Sequence, residues 1–291
     1  MGRLSITAAW NEASEILKRD FGALFTVALA FLLLPNLAMQ ALGPGPLAPG
    51  ETPQPGLWML IVPVAIVLNI AGSIAISTLA LGKERVVGNA IAHGFRRVLP
   101  MLGATILVAL AAVILCIPVV LLTGIDLQDL VSLTPAVLGR ALLAMLFLLV
   151  VLIAFAVRLI LITPVAAAEP VGPIGILKRS WELTRGHFWK LLGFLLLIGI
   201  VVLIIGMTTA SVFGLAVTAV AGAPEPGDAS WLVLLLLGGL VNAALTVGFT
   251  TLIARVYLQL AAGGIPEARA ETPAGTRPPA TVRREADRTP D

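Results

Sequence analysis

Two arginines stand where arginine is rare. Arg158 and Arg255 each lie inside the end of a long apolar run, in the similar contexts Arg158-Leu159-Ile160-Leu161 and Arg255-Val256-Tyr257-Leu258. A cation within a membrane span is costly, so such a residue marks a functional position by default. Two readings are open. Either guanidinium can snorkel to the headgroups or pair with a neighbour such as Glu169 or Glu182. Alternatively, the two guanidinium groups grip a lipid phosphate, with the bidentate geometry that arginine favours.

Other chemistry-bearing residues are few. His93 and His187 are the two histidines, and Cys116 is the single cysteine. A metal centre needs several ligands together, so neither a metal nor a cofactor is expected, and both histidines read as interfacial polar residues. No nucleophile–base pair stands out, and whether the chain is an enzyme is left open at this level.

The elements that position these residues follow from composition. The chain has 291 residues, 58% of them hydrophobic and 12% charged. Soluble domains carry about twice that share of charge, so a water-soluble enzyme is excluded as the default. Disorder fails on apolar content, and a disulfide scaffold fails on one cysteine. What remains is an all-α polytopic membrane protein. Six apolar stretches, 21–42, 57–82, 99–123, 136–164, 189–221 and 231–261, each meet the length of about 20 residues that a spanning helix needs.

Basic residues alternate between connections. Arg3, Lys18 and Arg19 precede the first span. Lys83, Arg85, Arg96 and Arg97 follow the second, and Lys178, Arg179, Arg185 and Lys190 follow the fourth. The other connections carry Glu51, then Asp126 and Asp129, then Glu225 and Asp228. The positive-inside rule then puts both termini in the cytoplasm of a bacterial inner membrane. The first apolar run reads as a retained span and not a cleaved signal. The charge-balanced, proline-bearing stretch 262–291 reads as a disordered cytoplasmic tail behind a membrane domain of 1–261.

Three basic segments have helical amphipathicity. The apolar faces are Ile6, Trp10, Ala13, Leu17 and Phe21 in 4–21; Val87, Ile91, Phe95 and Val98 in 86–98; and Ile174, Leu177, Trp181, Thr184 and Phe188 in 173–190. Each reads as a cytoplasmic interfacial helix running into a span, so that the six spans form three hairpins. The recurrence suggests three units, 4–82, 86–165 and 173–261. Trp10, Trp181 and Trp189 are expected interfacial anchors. Lys178, Arg179, Arg185 and Lys190, with Arg96 and Arg97, are expected headgroup contacts.

Within the spans, Gly238, Asn242, Thr246, Thr250 and Ala254 form one stripe, Asn69, Ser73 and Ser77 a second, and Gly206, Ala210, Gly214 and Thr218 a third. Helix packing explains such stripes best, with a polar substrate path as the alternative. Pro35, Pro63 and Pro118 are expected to kink or break their spans.

One stretch is distinctive: Glu169-Pro170-Val171-Gly172-Pro173, then Lys178-Arg179-Ser180-Trp181-Glu182-Leu183-Thr184-Arg185-Gly186-His187-Phe188-Trp189. It resembles the membrane domain attached to some bacterial glycerophosphoryl diester phosphodiesterases, a family that also occurs as stand-alone proteins. The resemblance implies a six-span layout over 1–261. It brings no catalysis, because the enzymatic barrel of such proteins takes about 250 residues of its own. Ala92-His93-Gly94-Phe95-Arg96 lacks the arginine that the family's His-Arg-Gly motif places between histidine and glycine.

The function expected from these features is a non-catalytic membrane domain that engages phospholipid or serves as an accessory to another membrane or cytoplasmic protein. A transporter or channel for a lipid-like solute is the alternative, and a membrane-embedded enzyme comes third. A midplane cavity walled by Asn69, Asn242 and Arg158 or Arg255 would favour transport. No nucleic-acid partner is expected, since the basic residues are placed for topology.

Overall fold

The computed structural model describes residues 5–43, 56–123, 134–222, 224 and 227–263. Glu51, Asp126, Asp129, Glu225 and the tail beyond Gly263 lie outside the described residues. Among those described, every regular element is helical, and six helices are long and apolar enough to cross a membrane.

The first span is one uninterrupted rod. Helix α1 (Ile6–Ala28) passes through a π-helical turn (Leu29–Leu33) into α2 (Leu34–Leu42). The wide turn has a local cause. Pro35 has no N–H, and its ring crowds the carbonyl four residues back. The ladder loosens just before it, and the Leu34 N–H reaches the Leu29 carbonyl, five residues away. Pro63 and Pro118, by contrast, sit inside the continuous helices α3 (Trp58–Ala80) and α4 (Val87–Thr123).

The fourth span is where proline breaks a helix. Helix α5 (Pro135–Leu159) stops, Leu161 takes φ −93° and ψ 6°, and a short α6 (Ile162–Ala168) follows. Pro164, in the first turn of α6, leaves the Ile160 carbonyl four residues before it without a helical donor. The apolar run 136–164, expected to be one span, is interrupted at this point.

Residues 6–21 run without a break into the first span, and 87–98 are the start of α4, which at 37 residues is about 55 Å long. That exceeds the ~30 Å hydrocarbon thickness, so α4 must tilt or project beyond the core. A separate helix precedes only the fifth span: α7 (Pro173–Thr184), parted from α8 (Phe188–Ala221) at Arg185-Gly186-His187. Gly186 sits at φ +91°, a conformation that a side chain would strain.

The last span is α9 (Ala229–Gly263), and it packs against α8, α3 and α1. Helix α3 touches α1, α2, α4, α6 and α9. At Gly94 the α4 backbone lies so close to the carbonyl of Ala71 on α3 that a Cβ would collide with it. Burial is concentrated toward the basic end, around Ile74, Val157, Leu161, Ile176, Leu191 and Val256. The rest of α4, α5 and α8 leaves large aliphatics exposed, among them Leu121, Leu143 and Val220. Apolar surface on that scale is tenable in a hydrocarbon solvent and not in water.

Candidate functional site

The ends of several spans meet at one end of the bundle. Ser5 N–H donates to Gln259 Oε1 (3.1 Å), Arg255 Nη2 to the Ala80 carbonyl (2.8 Å), and Lys83 Nζ to the Ala168 carbonyl. These bonds join the first helix to the last, and the ends of the second and fourth spans to their neighbours.

The distinctive segment wraps the broken span. The interruption at Ile160–Leu161 leaves the terminal carbonyls of α5 needing donors. Ser180 on α7 supplies one, and Thr184, one turn on and also fully buried, stands beside it with its hydroxyl nearer the Ser180 carbonyl (3.0 Å). Ser180 Oγ donates to the Arg158 carbonyl (2.8 Å), and Thr184 Oγ1 lies 3.4 Å from the same oxygen. The Arg158 guanidinium lies over the Trp181 ring at 5.0 Å and over Phe188 at 5.5 Å. Trp181 in turn meets Phe155 edge-on at 6.1 Å. Cation–π contacts of this kind contribute on the order of 1 kcal/mol, more where water is excluded. The guanidinium's buried Nη1 has no hydrogen-bond acceptor among the described residues.

Glu169 forms a second centre. Its Oε1 accepts from Arg179 Nε (3.0 Å) and from the Tyr257 hydroxyl (2.9 Å), tying α7 to α9. Arg179 Nη1 also lies 3.8 Å from Glu182. The hydrogen bond to Glu169 raises the Arg179 guanidinium above its ordinary pKa, so it stays charged throughout. Just upstream, His93 Nε2 lies 3.1 Å from the Ala167 carbonyl. His93 and Lys83 thus cover the C-terminal carbonyls of α6, where donors and cations are favoured.

Arg158 and Arg255 have different partners. Besides the Ala80 carbonyl, Arg255 approaches Glu12 at 3.9 Å. Glu169 is engaged by Arg179 and Tyr257, and Arg158 rests on aromatic rings. Of the other basic residues, Lys178, Arg185, Lys190 and Arg96 are exposed and Arg97 is half-buried. The three expected anchor tryptophans reach outward: Trp10 is 56% exposed, Trp181 44% and Trp189 80%. Trp10 leaves the protein because α1 buries Ala9, Ala13 and Ile16 instead, a face rotated from the one the apolar pattern marks.

Three clefts open between spans. Two adjoin between α4 and α5, with volumes of about 280 and 260 Å³, and share Val108, Ala111, Phe155 and Leu159. The second of them ends at Leu177, Lys178 and Trp181 of α7. A third, of about 390 Å³, lies between α8 and α9 with Asn242 on its wall, and neither Asn69 nor either arginine lines it. Asn69 instead accepts from Asn36 (3.3 Å) and donates to the Ala65 carbonyl. Among the described residues, no three His, Cys, Asp or Glu side chains are grouped to hold a metal ion.

Fold and site together define an all-α, multi-pass membrane protein with a polar, aromatic cluster at one end. The chain belongs to the DUF7847 family, a domain of unknown function, whose family model matches residues 4–260. No curated protein and no solved structure matches it.

Proposed function

We propose that this protein is a non-catalytic membrane domain that engages anionic phospholipid through its basic end, with N- and C-terminal segments in the cytoplasm of a bacterial inner membrane. The carrying observation is the pairing of outward tryptophans with exposed cations on the segment that closes the broken fourth span. Trp181 and Lys178 share one cleft wall, and Trp189 and Lys190 follow directly after the α7–α8 turn. Indole rings settle at the headgroup level, and lysine and arginine beside them attract anionic lipid. The resemblance of 169–189 to a membrane domain attached to phosphodiesterases supports an accessory role. Three repeated units remain the reading of the sequence that best accounts for its recurring basic segments.

Transport ranks lower. The cleft between α8 and α9 is apolar apart from Asn242, Thr209 and the Trp231 indole N–H, and none of the described cavities brings the two arginines and the two asparagines together.

The test is lipid retention. The whole chain and an Arg96→Gln, Arg185→Gln, Lys190→Gln variant are reconstituted in discs of equal phosphatidylglycerol and phosphatidylethanolamine, then extracted gently and weighed by native mass spectrometry. The native chain keeps phosphatidylglycerol in preference, and the variant loses that preference several-fold. Equal retention of both lipids by the native chain overturns the reading.

A further inference from the structure

Five asparagines occur in the chain, and three of them, Asn36, Asn69 and Asn242, lie within spans. Hydrocarbon offers an amide neither donor nor acceptor, so each of the three needs a polar partner. Two find it in each other. Asn36 Nδ2 donates to Asn69 Oδ1 between α2 and α3 (3.3 Å), and each amide also donates to the carbonyl four residues before it.

The third has no such arrangement. Asn242 is exposed on α9, where its backbone carbonyl accepts from Thr246, but its side-chain amide has no partner among the described residues. It lies about 16 Å along the helix from Trp231, roughly half the ~30 Å hydrocarbon thickness, too deep for so short a side chain to reach headgroups. The face that carries it looks away from the bundle. Ala243 and Val247 beside it are buried, and a Cβ on Gly239 would collide with Leu33 of the first span. Gly238, one turn before Asn242, is exposed, and nothing lies within 4 Å of the position its Cβ would occupy.

The partner is specified by the amide itself. A carboxamide carries both a donor and an acceptor, so it is complementary to its own kind, and the chain already joins two spans by such a pair. No fourth asparagine is left within its spans to repeat that pairing for Asn242. A second copy supplies one at the same depth, because both copies cross the membrane in the same sense and a two-fold axis along its normal sets a surface against itself. Gly238 beside the amide lets two such helices approach closely.

We infer that two copies of this chain associate through the outward face of α9, with the Asn242 amides bonded to each other and Gly238 at the closest approach. This association does not depend on the engagement of anionic lipid proposed above.

The experiment follows energy transfer between donor- and acceptor-labelled full chains in liposomes, over a series of protein-to-lipid ratios. The native chain is expected to associate and to saturate at two copies. Asn242→Leu, which places an apolar side chain on an exposed face, weakens association about five-fold or more, whereas Asn242→Gln keeps an amide and retains most of it. In a Cys116→Ser background, Gly238→Cys oxidises to a disulfide-linked dimer, and Leu143→Cys, 71% exposed on α5 in the native chain, does not. Native chains that stay monomeric at every density overturn the inference, whether water in the α8–α9 cleft or a different protein then meets the amide. Association equally strong in Asn242→Leu, or equal crosslinking at 238 and 143, overturns the α9 face as the interface.

Discussion

The hydroxyl of Ser180 donates to the backbone carbonyl of Arg158 across 2.8 Å, joining a helix outside the spans to the point where the fourth span breaks. The same arginine's side chain lies on Trp181, the next residue along. Backbone and side chain of Arg158 are thereby held by neighbouring residues of α7. Ser180→Ala removes the short bond to this carbonyl, leaving the Thr184 hydroxyl at 3.4 Å, and should lower stability by about 1 kcal/mol. Thermal unfolding in detergent reads this, and an unchanged midpoint would show that the broken end does not depend on the serine.

Trp181 should be replaceable in part by another ring. Trp181→Phe keeps a weaker cation–π face for Arg158, whereas Trp181→Leu removes it, at a cost of about 1 kcal/mol relative to Phe. Comparison of the two variants with and without Arg158→Gln isolates the coupling. A coupling indistinguishable from zero would mean that the stacking carries no energy.

Glu169 and Tyr257 are separated by 88 positions in the chain and bonded at 2.9 Å. Glu169→Ala and Tyr257→Phe should be non-additive, with a coupling on the order of 1 kcal/mol, because each removes the other's partner. Additive losses in a double-mutant cycle would count against the bond.

Gly94→Ala places a Cβ against the Ala71 backbone carbonyl and forces α3 and α4 apart, at a cost of about 1–3 kcal/mol. Gly22→Ala is the control, since nothing lies within 4 Å of the position its Cβ would occupy. Equal unfolding midpoints for the two variants would contradict the close approach.

The six spans were legible because length and hydropathy alone decide them, and the structure has six such helices. Pro63 and Pro118 carried the expectation of a kink or break, yet both sit inside continuous helices, and the chain breaks at Ile160–Leu161, ahead of Pro164, where Ser180 of α7 covers the Arg158 carbonyl. The donor that covers this broken end comes from another helix, which no local pattern reveals. The same limit hid the partners of Arg158: Glu169 and Glu182 were the obvious anions, but Arg179 is the cation bonded to Glu169. Tyr257 and the capping role of His93 carried no local signal, because each meets its partner across a long stretch of chain. Ser180, Trp181 and Thr184 did stand out as part of a distinctive run, and each now has a contact that accounts for it.

The central claim is that the basic, tryptophan-bearing end selects anionic lipid. Native mass spectrometry of the intact chain, released from discs of equal phosphatidylglycerol and phosphatidylethanolamine, tests it most directly. The account predicts that the native chain keeps phosphatidylglycerol in preference and that the Arg96→Gln, Arg185→Gln, Lys190→Gln variant loses that preference several-fold. Retention of the two lipids in proportion to their abundance by the native chain would contradict it.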